Sequence, residues 1–472
     1  MKSPREFNAR GKGSEGQPLQ RWCGSPMEVA RFLAIAIGSA AALGELHKEN
    51  AIHKHIRPSN ILVNAETGRV TLRRPTDSSR WLNPYVAPAM SADRDNTLAY
   101  LSPEQTGRMN RLIDSRSDLY SLGVTFYELL TGRLPFQAND PLEWVHCHIA
   151  RVPRPPDEIV PGVPDMISAV VMKLLAKTAE ERYQTAQGLK IDLETCLTQW
   201  EEKGRIEHFD LGVWDVPDRL LIPQKLYGRE KEALLLKNAF DRVIQQGACE
   251  LVLVAGYAGI GKTSLVRELH KPVAREHGFF LHGKCDQYKR NFPYATITEA
   301  FKEIIQYILT LTDEYITRWA VRLRRALGPN GQLMVEVIPQ LELIIGKQPP
   351  VADLTQTENQ NRFHSVFHNF VNVFTSREHP LVVFLDDLQW VDAATLKLIE
   401  HLVTNPDTQY LLLLGAYRDN EVDASHPLSR MMDIVRTANA SCRTVTLAPL
   451  SFSDLAQLNA DMFRSDPATV QA

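Results

Sequence analysis

Eight residues in the second half of the chain have the types and spacing that bind phosphate groups. The run GYAGIGKT, from Gly256 to Thr263, fits the pattern G-x-x-x-x-G-K-[ST]. Glycines in such a loop let backbone N–H groups turn inward onto a phosphate, the lysine reaches the terminal phosphates, and the threonine hydroxyl binds Mg²⁺. The sequence therefore predicts that ATP or ADP with Mg²⁺ is bound by Gly256, Gly259, Gly261, Lys262, Thr263 and Ser264.

Two carboxylates follow an apolar run further along the chain. In LVVFLDD the apolar residues lead directly to Asp386 and Asp387. We expect Asp386 to hold the Mg²⁺ together with Thr263, and Asp387 to polarise an attacking water as the candidate catalytic residue. The alternative is a plain strand end with two acids that cap the following turn.

A second group of residues with possible chemistry lies near the start of the chain. The run IHKHIRPSN has the spacing of a kinase catalytic loop, H-x-D-x-x-x-x-N, whose aspartate accepts the proton of a substrate hydroxyl. His55 stands in the place of that aspartate, and a histidine could in principle act as a base. Arg74 stands where a metal-binding aspartate is expected, and an arginine cannot ligate Mg²⁺. We therefore expect a degenerate site formed by His53, His55, Arg57, Asn60 and Arg74.

The elements that must position these groups follow from apolar patterning. CELVLVAGYAG, LVVFLDD and QYLLLLGAYRD are continuous apolar runs, which favour strands buried on both faces of a parallel sheet. Helical patterns between them complete an α/β arrangement, and the phosphate loop lies between a strand and a helix. In the first half, SDLYSLGVTFYELLTG predicts a helix that Ser117 caps and Gly132 ends.

Composition limits the classes of protein that this chain can belong to. With 472 residues we expect two to four domains. The near balance of 53 Lys and Arg against 56 Asp and Glu does not indicate a nucleic-acid partner. The six cysteines form no C-x-x-C pair, which favours reduced thiols in a cytoplasm. The most apolar run, Phe32 to Gly44, is expected to be too short to span a membrane.

The first 200 residues resemble the C-terminal lobe of a Ser/Thr protein kinase. Besides the loop around His55, YLSPE resembles the kinase A-P-E motif and SDLYSLG resembles a helix of the kinase lobe. AEERYQTA resembles the segment whose arginine pairs with the glutamate of the A-P-E motif. The resemblance implies that Asp118 braces the catalytic-loop backbone and that Glu104 pairs with Arg182. No G-x-G-x-x-G-x-V loop and no V-A-I-K strand precede this region. We therefore expect a pseudokinase without an N-lobe.

The second half resembles the signal-transduction ATPases called STAND, which are related to the AAA class. LYGREKE resembles the motif that frames the adenine, which assigns Gly228 and Arg229 to nucleotide binding. LLLLGAYRDNEV resembles a sensor strand, which implies that Arg418 contacts the γ-phosphate. LAPLS resembles the start of a helical lid, most of which would lie beyond Ala472.

The order of these regions resembles the N-terminal part of very large sensor histidine kinases. The predicted fold is a mainly α kinase-like C-lobe followed by an α/β P-loop ATPase domain with a parallel sheet. The expected segments are a disordered leader (1–16), the kinase-like lobe (17–198), a connector (199–224) and the ATPase domain (225–472).

The resemblance implies an ATP-dependent signalling switch with protein partners, including a downstream histidine-kinase core. It implies neither a nucleic-acid partner nor a membrane segment. Two alternatives stay open, an active Ser/Thr protein kinase and a non-catalytic interaction scaffold.

Overall fold

A computed structural model describes residues 16–64, 66–73, 97–106, 113–138, 141–216, 226–289, 292–309, 311, 313–352 and 355–463. The predicted leader lies outside this range except for Gly16, and so do the predicted degenerate-site residue Arg74 and the end of the chain after 463.

The first domain is mainly helical and carries one small antiparallel sheet, in the order β1-β2-β3. Helices α1 and α5 pack along each other, and α2 runs through the middle of the core with most of its residues buried. The elements are β1 Gln17–Pro18, α1 Val29–Lys48, β2 Ile61–Val63, β3 Val70–Leu72, α2 Ser115–Thr131, α3 Pro141–Ile149, α4 Asp165–Leu174 and α5 Ala186–Lys203.

Helix α1 extends beyond the apolar run Phe32 to Gly44 at both ends. Its 20 residues are long and apolar enough to cross a membrane by length and composition alone, so the expectation that this segment is too short was wrong. A core helix of a soluble domain passes the same test, and 44% of the most apolar window is buried within the fold. Phe32 packs edge-on against Phe126 of α2, with ring centroids 5.4 Å apart. The buried face of α1 therefore contributes to the domain core.

Helix α2 begins earlier than predicted. The side chain of Asp114 accepts a hydrogen bond from the backbone N–H of Arg116 and forms the N-cap, whereas Ser117 lies inside the helix. Both residue types cap helices well, so the local pattern did not distinguish them. Gly132 ends the helix as predicted, in the left-handed conformation with φ 71°.

Helix α5 also extends past the boundary predicted from sequence. It continues to Lys203 and ends at Gly204, which has φ 65°. The predicted change from lobe to connector at 198 therefore falls within a helix. The following turn is held to the lobe by Asp215, whose carboxylate accepts hydrogen bonds from the backbone N–H groups of Gln184 and Thr185.

The second domain is built on a five-stranded parallel sheet with the order β5-β6-β7-β4-β8. This confirms the predicted fold class. The elements are α6 Glu230–Gln246, β4 Cys249–Ala255, α7 Lys262–Arg267, α8 His270–Arg275, β5 Phe279–Lys284, α9 Ala295–Leu309, α10 Asp313–Leu327, α11 Gly331–Val337, α12 Glu342–Ile345, α13 Gln356–Asn372, β6 Leu381–Asp386, α14 Ala393–Thr404, β7 Leu411–Tyr417, α15 Pro427–Thr437, β8 Cys442–Thr446 and α16 Phe452–Phe463.

Both faces of this sheet are covered, as the continuous apolar runs predicted. Every residue of β4, β6 and β7 is buried. Alternate residues of β4 enter two different cores: Leu251 and Leu253 pack with α9, α13 and α14, whereas Val252 and Val254 pack with α6 and α7. This layering brings the carboxyl ends of β4, β5, β6 and β7 to one edge of the sheet, where ligands of open parallel sheets bind.

Candidate nucleotide-binding site

The phosphate loop lies between β4 and α7, in the strand–loop–helix order that the sequence predicted. Gly256, Gly259 and Gly261 have φ of 152°, 75° and 99°, a region that residues with a Cβ rarely adopt. Gly261 forms the N-cap of α7 without a side-chain hydrogen bond. The backbone N–H groups at the start of α7 are therefore not capped by that residue, and such groups attract anions.

Lys262 is folded back over the loop in this structure. The residue is 7% exposed, and Nζ donates to the carbonyl oxygens of Gly256 and Tyr257 at 2.7 and 2.8 Å. Burial lowers the pKa of Lys262 and the charge of Arg418 acts in the same direction, while Asp386 and Asp387 oppose the shift. An anion placed in the loop would stabilise the charged form of this lysine.

Thr263 and Asp386, the two residues that the sequence predicted to hold Mg²⁺, are in direct contact. Thr263 Oγ1 donates to Asp386 Oδ2 at 2.8 Å, and the other carboxylate oxygen accepts from the backbone N–H of Asp387 at 2.9 Å. Hard oxygen ligands from one hydroxyl and one carboxylate, completed by phosphate and water, fit the preferences of Mg²⁺. Ser264 follows on the exposed side of α7.

Asp387 has an unusual backbone conformation for a residue with a side chain, with φ 56° and ψ 43°. Its carboxylate accepts a hydrogen bond from Gln389 Nε2 at 3.0 Å. Two cations approach the same carboxylate, with Lys284 Nζ at 3.7 Å and Arg418 Nε at 3.8 Å. Asp387 is thus held among three donors at the carboxyl edge of the sheet.

Arg418 lies directly after β7, so the structure brings it to the same edge as the two acids. Its guanidinium stacks on Trp390, with 4.9 Å from Cζ to the ring centroid, and donates to Glu421 at 2.7 Å. Gly228 and Arg229, the two residues predicted to frame the adenine, lie against the segment 448–454. Arg229 donates to the carbonyl oxygen of Ala448, and a Cβ at Gly228 would collide with the carboxylate of Asp454.

The residues predicted to form a degenerate kinase-like site lie in the other domain, apart from Arg74, which is outside the described residues. Asp118 accepts hydrogen bonds from the backbone N–H groups of His53 and Lys54 at 2.8 and 2.7 Å, and from His47 at 3.0 Å. Asn60 Nδ2 donates to the carbonyl oxygen of His55 at 2.8 Å. The loop backbone is therefore braced although no carboxylate stands at position 55.

The imidazole of His55 differs from the carboxylate that kinase chemistry uses. Burial, followed by the charges of His53 and Arg57, lowers the pKa of His55 to about 4, so this side chain is neutral at pH 7. Arg57 donates to the hydroxyl of Thr97 at 2.6 Å. The loop at position 55 thus presents a neutral imidazole on a backbone that Asp118 and Asn60 hold.

Three residues that contact Asp387 or Arg418 were missed by sequence reasoning: Lys284, Gln389 and Trp390. Lys284 ends β5, a strand that was not predicted, although its run FFLHGK is apolar for three residues and ends in a charged one. Gln389 and Trp390 follow Asp387 in a short 3₁₀ turn, and their proximity to the second acid could have indicated a role.

Each half of the chain matches a known protein family. The family model described as a protein kinase domain matches residues 16–193, and the model described as an AAA ATPase domain matches residues 225–414. Hybrid signal transduction histidine kinase G of Dictyostelium discoideum is 39% identical over 336 residues, which is 67% of this chain and 10% of that protein. Histidine protein kinase 1 of Candida albicans is 22% identical over 421 residues, 79% of this chain and 17% of that protein.

The first domain also matches bacterial kinases. Serine/threonine-protein kinase PknB of Mycobacterium leprae is 35% identical over 168 residues, 36% of this chain and 26% of that protein. The chain therefore spans a tenth to about a quarter of the length of these relatives. The similarity to the Dictyostelium protein covers more of the chain than either family model does. The chain thus joins a protein-kinase-like domain to an AAA-type ATPase domain, and it is similar to part of the hybrid histidine kinases.

Proposed function

We propose that this chain is a nucleotide-dependent signalling module. In it the ATPase domain binds ATP or ADP with Mg²⁺ and hydrolyses ATP slowly, and the kinase-like domain is a non-catalytic scaffold. The observation that carries the proposal is the meeting of Lys262, Thr263 and Asp386 at the carboxyl edge of the parallel sheet, with Thr263 and Asp386 2.8 Å apart.

Each residue at this edge has a proposed role that its position supports. Lys262 leaves the loop carbonyls and contacts the terminal phosphates, while Thr263 and Asp386 hold the metal. Mg²⁺ would neutralise charge on the phosphate oxygens when bound. Asp387 orients and polarises the attacking water, because its carboxylate lies one residue beyond the metal ligand and is held by Gln389.

A switch of the STAND type would use the difference between ATP and ADP at Arg418. A ligand shifts a conformational equilibrium only through a difference in its contacts with the two states. The side chain of Arg418 contacts Glu421, Trp390 and the carboxylate of Asp387. A γ-phosphate would replace these contacts when ATP is bound. The proposed readout is a movement of the segment after β7.

The matches to Ser/Thr kinases make phosphotransfer by the first domain a second candidate function. The residue types oppose it, because position 55 holds a neutral histidine where the proton-accepting carboxylate of a kinase would stand. We therefore favour a scaffold, whose partner in the longer relatives would be a histidine-kinase core. An in-frame histidine-kinase core in the gene downstream of this chain would support that partner, and a different domain there would oppose it.

Isothermal titration of the purified chain with ADP or ATP and Mg²⁺ tests the proposal. We expect Lys262→Ala to abolish binding, because the loop loses the positive charge that meets the phosphates. Lys237→Ala is the matched control, since it removes a lysine from the exposed side of α6 in the same domain. Undiminished affinity in the Lys262 variant would place the nucleotide elsewhere.

A further inference from the structure

Gln389 connects the acid proposed to act on water with the strand end that carries Arg418. The residue lies in the 3₁₀ turn Leu388–Trp390 after β6 and is 3% exposed. Its Nε2 donates to Asp387 Oδ1 at 3.0 Å, and its Oε1 accepts from the backbone N–H of Arg418 at 3.2 Å. One amide group thus links two residues that lie far apart in the sequence.

The orientation of this amide is fixed by the chemistry of its two partners. A backbone N–H can only donate and an ionised carboxylate can only accept. If the amide of Gln389 were turned over, its NH₂ would face the N–H of Arg418 and its oxygen would face Asp387. Both contacts would then be repulsive, so the side chain has one satisfactory orientation.

Other contacts of Asp387 are less suited to fix the direction of its carboxylate. Lys284 approaches at 3.7 Å but is 66% exposed, and a solvated pair of this kind contributes little. Arg418 Nε lies at 3.8 Å and the same guanidinium is bound to Glu421. The hydrogen bond from the buried amide of Gln389 is the shortest of the three contacts.

The turn that carries Gln389 is itself held from a third element. His426, the N-cap of α15, places Nε2 at 3.2 Å from the backbone carbonyl oxygen of Gln389. The imidazole Nδ1 accepts from the N–H of Leu428, so Nε2 carries the proton and donates to that oxygen. Gln389 is therefore fixed at its backbone as well as at its side chain.

We propose that Gln389 is a positioning residue that orients the carboxylate of Asp387 toward the attacking water. Through the same amide, this orientation depends on the position of Arg418. This inference rests on the proposed ATP hydrolysis. Gln389 itself has no role in binding the phosphates. A shift of Arg418 upon contact with a γ-phosphate would move the acceptor end of the amide and with it the acid.

The test uses the full chain and two substitutions of similar length. Gln389→Met removes both hydrogen bonds, and Gln389→Glu keeps the acceptor for Arg418 but places a carboxylate against Asp387. We expect ADP affinity to be unchanged in Gln389→Met and ATP turnover to fall about ten- to a hundredfold, the value of one hydrogen bond to a charged group. Gln245→Met, at the exposed end of α6, is the matched control and should turn over ATP like the wild type.

A pH profile separates positioning from a general structural role. The introduced carboxylate of Gln389→Glu would be protonated as the pH falls, and its O–H would then donate to Asp387 as the amide does. We expect the turnover of Gln389→Glu, relative to the wild type, to rise from pH 8 to pH 5.5, whereas Gln389→Met shows no such recovery.

The outcomes distinguish this inference from the proposed function. Wild-type turnover in both Gln389 variants would overturn the positioning role and leave nucleotide binding and hydrolysis standing. Equal loss in both variants without recovery at low pH would also overturn it. Nucleotide binding by the wild type with no turnover would overturn the inference and the proposed hydrolysis but leave the proposed nucleotide binding standing. Absence of nucleotide binding would overturn the proposed function as well as the inference.

Discussion

The pair formed by Glu104 and Arg182 is the most completely buried charge pair among the residues that the structure describes. Arg182 donates to both carboxylate oxygens of Glu104, at 2.7 and 3.0 Å, and Ser117 donates to the first of them at 2.7 Å. The guanidinium also donates to three backbone carbonyl oxygens, of Ala176, Arg116 and Lys177. Every strong donor and acceptor of the pair is thus satisfied, which is the condition under which a buried pair is tolerated.

We predict that Glu104→Gln lowers the free energy of unfolding of the kinase-like domain by about 3–5 kcal/mol at pH 7. The substitution keeps the shape of the side chain but leaves the charge of Arg182 buried without its counter-charge. The change in free energy is measured by urea unfolding, with hydrogen exchange of α2 and α5 as the readout. Glu45→Gln, at an exposed residue of α1, is the control and should leave the stability of the domain nearly unchanged. A Glu104→Gln domain as stable as the wild type would show that the pair is dispensable.

The same pair determines a pH dependence. Burial alone would raise the pKa of Glu104, but the charge of Arg182 and the hydrogen bonds from Arg182 and Ser117 outweigh it and lower the pKa to about 2. A depressed folded-state pKa means that the pair stabilises the domain above the ordinary pKa of glutamate, about 4.3, and that this contribution is lost as the pH falls toward 2. Glu104→Gln should show a smaller loss of stability over that interval.

At the scale of elements, three histidines lie between α13 and α14. His364 and His368 are one helical turn apart on α13, and both rings face His401 of α14, with centroids 5.6 and 6.1 Å apart. No group of three or more His, Cys, Asp or Glu side chains suited to hold a metal ion occurs in the part of the chain that the structure describes. Burial, and then the neighbouring His401, lowers the pKa of His364 to about 4, and burial also lowers those of His368 and His401.

We predict that acid loosens the packing of α13 on α14. In the unfolded chain these imidazoles take up protons near pH 6.5, but in the fold they resist protonation until a lower pH. Stability is therefore complete above about pH 6.5 and decreases as the pH falls from there toward 4. Hydrogen exchange of α13 peptides at pH 7.5 and pH 5, corrected for intrinsic exchange rates, measures the difference.

The substitution that tests this prediction is His401→Gln, because His401 is the ring that both α13 histidines face. We expect the loss of protection in α13 between pH 7.5 and pH 5 to be smaller in this variant. His208→Gln, at an exposed histidine after α5, is the matched control and should behave like the wild type. The same acid sensitivity in all three proteins would contradict the role of the histidine cluster.

At the scale of the whole molecule, the kinase-like domain contacts the helix that continues the phosphate-loop helix. Helix α3 packs on α8, and His146 stacks on His277 with ring centroids 4.3 Å apart. His277 has φ 53° and its carbonyl oxygen faces His379 Nδ1 at 3.0 Å, so this turn is held between α3 and the segment before β6. The kinase-like domain thus touches the ATPase domain at α8 and at the turn before β5, on the amino-terminal side of the parallel sheet.

We predict that nucleotide chemistry occurs only in the second domain and that the first domain transfers no phosphate. A chain incubated with radiolabelled ATP and a generic protein substrate should transfer no phosphate to serine or threonine, because His55 is neutral and stands in place of the proton-accepting carboxylate. Asn60→Ala, which removes the donor to the His55 carbonyl, should change nothing in this assay. Phosphotransfer that survives Lys262→Ala but is lost in Asn60→Ala would assign catalysis to the first domain.

Local patterns in the sequence were sufficient for the features that depend on consecutive residues. Three such features were predicted: the glycines and Lys262 of the phosphate loop, the apolar runs of β4, β6 and β7, and the order of the two domains. Each depends on short segments whose residue types allow few alternative structures. The prediction that Ser117 caps α2 was wrong, since Asp114 also suits a cap and only the helix itself shows where it starts.

The surroundings of Asp387 were decided by the tertiary structure alone. Lys284, Gln389 and Arg418 come from the ends of β5, β6 and β7, and only the register of the parallel sheet brings these ends to one edge. The same holds for the partner of Arg229, whose guanidinium donates to the carbonyl oxygen of Ala448, 219 positions along the chain. Its contact with a nucleotide stays a prediction. A residue type shows which contacts a side chain can make, whereas the packing of distant segments determines which contact it makes.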